Sequence, residues 1–290
     1  MENSTSHSKP NGKNHNTKLN KPILFMPSFD QLVAEYRNET EANDSIHREL
    51  TKATWENNLL AKHRKYIEEN NLGFGDAAFH SMWAGIMEAA VYRHKKVRAL
   101  EIGVFKGQVI SLWALLAKNY KWPIKIAAIS PLKGAPRPKN KILQKAMSVF
   151  SKKYRERIQN GDFYEDEKYE KIIQELFKKF KIEYSDIHML KGFSTDQKVI
   201  NEAKNLQFEI LYVDGDHTFE GARHDFQVFG EKVVKGGWLI ADDAGCALPG
   251  TRFWKGHEAV SRAVEILPSL GFKNVLNVGH NRVFEKVSAI

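Results

Sequence analysis

Two short segments end apolar runs on acidic side chains. Glu209-Ile210-Leu211-Tyr212-Val213-Asp214-Gly215-Asp216-His217 closes on two carboxylates and an imidazole. Lys235-Gly236-Gly237-Trp238-Leu239-Ile240-Ala241-Asp242-Asp243 repeats the plan, with a Gly-Gly turn, an apolar run and paired carboxylates. If the two runs are neighbouring parallel strands, Asp214 and Asp242 project from one edge, the carboxyl edge where open α/β sheets bind ligands. Three carboxylates meeting at adjacent strand ends repel one another unless a cation neutralises them or a proton is shared. Oxygen ligands suit a hard divalent ion such as Mg²⁺, which would hold hydroxyl oxygens of a substrate and lower their pKa. The plain alternative is that Asp243 caps the next helix and Asp216 is solvated.

A third segment, Leu100-Glu101-Ile102-Gly103-Val104-Phe105-Lys106-Gly107, reads as a strand entering a Gly-spaced turn ahead of a helix around Val109–Lys118. Glycines at such a turn let a ligand approach the backbone, and the helix N-terminus behind it favours a negative group such as a carboxylate. The spacing is acidic-x-Gly-x-x-x-Gly, not the G-x-G-x-x-G of dinucleotide sites. An ordinary tight turn is the competing reading.

The apolar rhythm sets the elements that must position these residues. Short apolar runs at Val97–Gly103, Ile124–Ser130, Asp186–Gly192, Glu209–Asp214, Trp238–Asp242, Asn274–Gly279 and Arg282–Val287 are separated by helical stretches, except at the end. Runs apolar on both faces imply a mostly parallel sheet covered by helices on both sides. Only His280 and Asn281 separate the last two runs, too few for a parallel crossover, so these strands are antiparallel neighbours. The expected fold is therefore α/β and Rossmann-like, a seven-stranded sheet ending in an antiparallel hairpin.

This domain is expected over residues 96–290. The chain between Ser130 and Asp186 far exceeds what a crossover needs, so a helical insert at about 131–185 is expected, with helices over Lys139–Tyr154 and Lys168–Phe180 and a break at Asn160, Gly161 and Asp162. Residues 23–95 read as a helical extension. Ser28 with Gln31 forms a capping-box pattern, and Phe79, Met82, Trp83, Ile86, Met87, Ala90 and Val91 make one apolar stripe behind Asp76. These helices are candidates either to cover the pocket or to pair two subunits as a homo-oligomer. Residues 1–22 bury too little to offset ordering entropy and are expected to be a disordered tail.

Composition narrows the class. The 290 residues are 42% hydrophobic and 27% charged, enough apolar material for a full core. No run approaches the apolar length of a membrane span, and the N-terminus lacks the apolar core of a secretory signal, so a cytoplasmic protein without membrane association is expected. Cys246 is the lone cysteine, which excludes an internal disulfide framework. The net charge of +9 raises a nucleic-acid partner, but much of it sits in the tail and in the insert, as Arg137, Lys139, Lys141, Lys145, Lys152, Lys153, Arg155 and Arg157. A basic lid there would attract an acidic acceptor; a solvated helix face is the competing reading. No Asn-Pro-Pro-aromatic motif for a flipped base is present.

The fragments LEIGVFKG, FEILYVDGDHTFEGARHDF and VVKGGWLIADDAG resemble class I S-adenosylmethionine-dependent methyltransferases. The likeness is narrower to the branch of macrocin and other natural-product or sugar O-methyltransferases and cephalosporin-hydroxylase-like proteins, and covers roughly residues 96–290. It implies S-adenosyl-L-methionine lying over the first strand ends and methyl transfer to a hydroxyl of a small molecule or sugar. By position, Glu101, Gly103 and Gly107 would line the methionine and ribose end of the cofactor, with Phe105 and Lys106 in the same turn and Asp214 at its margin. Asp214, Asp242 and Asp243 match metal-binding acids for Mg²⁺ or another hard divalent cation. Asp216 stands where some sugar-type relatives keep a general base and His217 where catechol-type relatives place a lysine. Asp216 is slightly favoured, because a hydroxyl already acidified by a cation needs only a weak base.

After Asp243, the loop with Phe253 and Trp254 suits stacking on a sugar or planar ring. In that loop His257 is a candidate auxiliary base, or else a cap or surface residue. One departure is plain: the second strand ends Ile129-Ser130-Pro131-Leu132, where the family commonly has a ribose-binding acid. Ser130 is the polar side chain left there, and Ser194 would border the adenine after the third strand. The alternatives are an RNA or other nucleic-acid methyltransferase and a catalytically silent cofactor-binding protein.

Overall fold

The computed structural model describes residues 28–159, 163–165 and 167–288; the expected tail at residues 1–22 and the break at Asn160–Asp162 lie outside them. Strands β1 (Val97–Ile102), β2 (Ile124–Ser130), β3 (Ile187–Lys191), β4 (Phe208–Val213), β5 (Val233–Ala241), β6 (Phe272–Val278) and β7 (Asn281–Lys286) form one sheet in the order β3-β2-β1-β4-β5-β7-β6. Pairing is parallel from β3 through β5 and antiparallel for β5–β7 and β6–β7.

Strand alternation explains why the central runs are apolar throughout. Ala99, Ile126, Ala128, Ile210, Tyr212, Trp238 and Ile240 enter one core, while Leu100, Ile102, Ala127, Ile129, Leu211, Val213, Leu239 and Ala241 enter the other. Helices α4 (Ala78–His94), α5 (Gln108–Tyr120) and α8 (Tyr169–Lys179) fill the first core, where Trp83 sets its edge against Trp113 and Tyr212 at 4.9 Å each. Helices α9 (Gln197–Ala203), α10 (Phe219–Gly230) and α11 (Glu258–Ala263) fill the second, around Phe226 and Phe229. Among the described residues no helix is long and apolar enough to cross a membrane.

The stretch ahead of β1 is built into this fold. Helix α1 (Phe29–Glu35) starts with the expected reciprocal Ser28–Gln31 capping box, and α2 (Thr40–Glu56) and α3 (Asn58–Glu69) follow. His63 Nδ1 lies 3.0 Å from His80 Nε2 and His63 Nε2 3.0 Å from Ser111 Oγ, which ties α3, α4 and α5 together. Burial holds both imidazoles well below their ordinary pKa, so these two histidines are neutral structural groups.

Two local expectations change. The Gly236-Gly237 pair lies inside β5 rather than before it: the β4–β5 register shifts between Phe208 and Ile210, and a Cβ on Gly237 would stand 2.8 Å from the Glu209 carbonyl oxygen. These glycines therefore serve a close backbone approach at an irregularity. The helix expected over Lys139–Tyr154 is two, α6 (Lys141–Phe150) and α7 (Lys152–Gln159), broken at the extended Ser151. A bridge between Lys133 and Lys168 closes the neck of the insert, and α8 buries Ile173, Leu176 and Phe177 as its apolar spacing requires.

Candidate active site

Register carries the three chemistry-bearing segments to one place. Ile102 pairs with Val213, and Val213 with Ala241, so Gly103, Asp214 and Asp242 stand in a row just beyond three adjacent strand ends. The chain order reverses between β2-β1 and β4-β5, which makes this the switch point where such sheets bind ligands. Asp214 N donates to the Ile102 carbonyl at 2.8 Å and Asp242 N to the Val213 carbonyl at 3.0 Å. At Gly103, with φ at +95°, a Cβ would stand 1.8 Å from the Asp214 carbonyl oxygen. Gly103 is thus required by the crossing of the β4 loop over the β1 loop. Gly107, with φ at +91°, leaves room for Ile173 of α8.

Asp214, Asp242 and Asp243 do converge, but imidazoles stand among them. His217 Nε2 lies 3.2 Å from Asp243 Oδ2 and 3.6 Å from Asp214 Oδ1. His257 Nε2 lies 3.5 Å from Asp243 Oδ2, and the His217 and His257 rings stack at 4.7 Å. His280 Nε2 lies 3.4 Å from Asp242 Oδ1 and 3.5 Å from Asp243 Oδ1. Three imidazoles therefore stand among the three expected carboxylates, so the groups gathered here are not oxygen donors alone.

Local structure delivers each imidazole. A bridge between Ala244 and Gly256 closes the loop after β5, and His257 N donates to the Asp243 carbonyl at 2.8 Å, which returns His257 to the acids. His280 arrives from the β6–β7 turn, Gly279-His280, where Gly279 takes φ of +58° as a tight hairpin turn requires. Ala244 N donates to the His280 carbonyl at 2.9 Å. Trp254 sets its edge against both His257 and His280. The loop carrying Trp254 is held by the N-terminal helices: Asp44 of α2 accepts from Thr251 N, Thr251 Oγ1 and Arg252 N at 2.8–3.1 Å, and Asn43 donates to the Pro249 carbonyl at 2.7 Å.

Burial and like charge divide the acids. Burial, reinforced by the Asp242 charge, pushes Asp214 well above the usual carboxylate range. Burial acts the same way on Asp242, but the charge and hydrogen bond of His280 outweigh it and hold Asp242 low. Burial alone would lower His280, yet the three surrounding carboxylates raise it. Imidazoles set among the acids offset their mutual repulsion when they carry positive charge. A divalent cation could supply that charge, and the clustered donors, all within 4.8 Å in each of two three-residue groups, fit one.

The remaining site residues are more occupied than expected. Asp216 Oδ1 accepts from Thr218 N at 3.0 Å and Asp216 Oδ2 pairs with Lys153 of α7 at 3.0 Å. Burial raises Asp216, but the Lys153 contact prevails and holds it below its ordinary pKa. Lys106 pairs with Glu167 at 2.8 Å, and the Phe105 ring packs among Phe74, Tyr164 and Tyr169. Ser130 Oγ accepts from Leu132 N, closing its own turn. Glu101 is 1% exposed, and burial with the Asp214 charge raises its pKa well above normal. Its Oε2 has no hydrogen-bond partner, a polar atom at the β1 end suited to a cofactor hydroxyl or amine. Ser194 lies beside Asp225 of α10.

Asp225 lies beneath Gly215, where a Cβ would stand 3.1 Å from its Oδ2. Burial pushes Asp225 up to about 7, only partly offset by Ser194. A raised acid pKa means the native state holds the proton more tightly, so this stabilising contribution is full below the ordinary carboxylate pKa and lost as pH rises through about 7. Stability is expected to fall by roughly 3 kcal/mol between about pH 5 and pH 8 from this group. Thermal melts of Asp225→Asn should show that fall flattened; an unchanged slope would remove Asp225 as its source.

A parallel sheet closed by an antiparallel hairpin, with glycine and acidic turns aligned at its switch point, is the fold of class I S-adenosylmethionine-dependent methyltransferases. The methyltransferase domain family matches residues 100–244, and the chain belongs to that family. Its fold is similar to that of the O-methyltransferase NovP, at 14% identity and a TM-score of 0.52 over 72% of this chain and 79% of that one. It is also similar to an O-methyltransferase from Bacillus cereus in complex with SAH, at 12% identity and a TM-score of 0.51 over 86% of this chain and 99% of that one. An uncharacterized protein of Acanthamoeba polyphaga mimivirus is 33% identical over 67 residues, which span 22% of this chain and 30% of that protein's length.

Proposed function

We propose that the protein transfers the methyl group of S-adenosylmethionine to a hydroxyl oxygen of a small molecule or sugar, with a divalent cation held among Asp214, Asp242 and Asp243. The observation that carries this reading is the row formed by Gly103, Asp214 and Asp242 at three registered strand ends. It supports a donor bound at the Gly103 turn beside the acids. The O-methyltransferases similar in fold support the same class of reaction. When bound, S-adenosylmethionine supplies an electrophilic methyl group and the cation supplies Lewis acidity toward the acceptor oxygen.

The chain's own residues do the rest. Glu101 and the turn through Gly107 receive the cofactor's polar end at the α5 N-terminus. Asp216 takes the hydroxyl proton once the acceptor displaces Lys153 and frees its carboxylate, a weak base that suffices if the hydroxyl is already acidified. Trp254 offers an exposed ring for stacking on the acceptor. Exposed Lys139, Lys141 and Lys145 on the insert favour an acceptor carrying negative charge.

Methyl transfer from labelled S-adenosylmethionine onto hydroxylated sugars and phenols, with RNA as a comparison acceptor, tests this. Transfer to a hydroxylated small molecule, lost in chelator and restored by a divalent cation, is the expected result. Turnover that persists in chelator would remove the cation, and transfer to RNA alone would replace the acceptor class.

A further inference from the structure

We propose that the ion at this site is a divalent transition metal bound through imidazole nitrogen, taken by His217 Nε2, His257 Nε2 and Asp243 Oδ2, in place of Mg²⁺. The proposal deepens the cation-assisted reading above and rests on it.

The donor chemistry points this way first. Mg²⁺ is held by carboxylates, carbonyls and water, whereas imidazole suits Zn, Fe, Ni and Cu. Here two imidazoles and one carboxylate oxygen meet at one point, with His280 and Asp242 on the other Asp243 oxygen.

The spacing accords with such an ion. Charged pairs elsewhere in the chain range from 2.6 Å at Arg98–Glu209 to 4.0 Å at Arg48–Glu41. The contacts within the cluster are 3.2–3.6 Å long. Ligand atoms around a common ion, each about 2.0–2.2 Å from it, lie roughly 3.0–3.5 Å from one another. These separations match donors gathered around one ion.

Backbone bonds fix that arrangement. The His257 amide on the Asp243 carbonyl and the Ala244 amide on the His280 carbonyl lock both loops to the end of β5. Asp243 itself has φ of +55°, a conformation that Asp tolerates better than most residues and that turns its carboxylate toward the histidines. Asp214 at 3.6 Å from His217, with Asp242, flanks the group.

The full-length protein, stripped by chelator and dialysed, is titrated with Co²⁺ followed by its visible absorption, then with Zn²⁺, Mn²⁺ and Mg²⁺ in competition. Wild type is compared with His257→Gln and His217→Gln, and S-adenosylhomocysteine binding confirms that each variant is folded. Co²⁺ bands of a nitrogen-ligated ion, displaced by Zn²⁺ but not by a large excess of Mg²⁺, are expected. Each substitution should weaken Co²⁺ by at least about 10–100-fold. Mg²⁺ displacing Co²⁺ at comparable concentration, or unchanged Co²⁺ affinity in both variants, would overturn the assignment. Methyl transfer supported by Mg²⁺ alone and indifferent to His257→Gln would overturn it while leaving O-methyl transfer standing. Imidazole-dependent Co²⁺ binding with no methyl transfer under any ion would sink the reaction and leave the ligands.

Discussion

Asp243→Asn should lower methyl transfer by about 10³-fold while leaving S-adenosylhomocysteine binding nearly unchanged. Both Asp243 oxygens face imidazoles, Oδ2 toward His217 and His257 and Oδ1 toward His280. Asparagine keeps the shape and tolerates the left-handed backbone at φ of +55°, so the substitution removes charge without adding strain. What is lost is the anion around which three imidazoles gather, and with it cation affinity and the acidification of the acceptor, about 4 kcal/mol of barrier. Asp243→Ala adds the left-handed cost to this and should also lower the melting temperature. Stopped assays with saturating cofactor, alongside calorimetry with S-adenosylhomocysteine, read the two effects separately. Comparable losses in both would assign Asp243 to folding.

The second large effect is on stability. Gly103→Ala would place a Cβ 1.8 Å from the Asp214 carbonyl oxygen and 2.8 Å from the Gly215 Cα, at φ of +95°. Neither contact is with a flexible side chain, so backbone must move, and the strained conformation alone costs about 1–3 kcal/mol. A total of about 3–5 kcal/mol and a fall of roughly 10 °C in melting temperature are expected. Because the displaced carbonyl belongs to Asp214, cofactor binding and cation binding should weaken together. A variant that melts like wild type would mean the two loops do not cross as described.

The parts of this molecule legible in the sequence are those set by burial over short range. The central strands enter two cores alternately, so their apolar runs are uninterrupted, and the mostly parallel pairing with a final antiparallel hairpin follows from the helices between them and the tight turn at the end. Asp214, Asp242 and Asp243 were visible because they end such runs. His280 was not, although a signal existed: β7 runs antiparallel to β5, with Ala241 opposite Arg282, so the turn preceding β7 must lie at the edge where β5 ends. Partners chosen across long separations left no such trace. Asp44 holds residues 207 and 208 positions away, and neither Lys153 opposite Asp216 nor Glu167 opposite Lys106 follows from periodicity. Gly103 was expected to let a ligand approach the backbone; the structure shows that the neighbouring loop needs the space as well.

The insert touches both halves of the proposed chemistry. Through Glu167 it clasps Lys106 beside the donor turn, and through Lys153 it engages Asp216 beside the acceptor. Lys153 is exposed, so its pair with Asp216 contributes little and fades with added salt, whereas the Lys106–Glu167 pair is more sheltered; this double latch is weaker at its acceptor end. Loading of donor and acceptor would then share one gate, and a molecule that frees Asp216 from its lysine would loosen the grip on the sulfonium end as well.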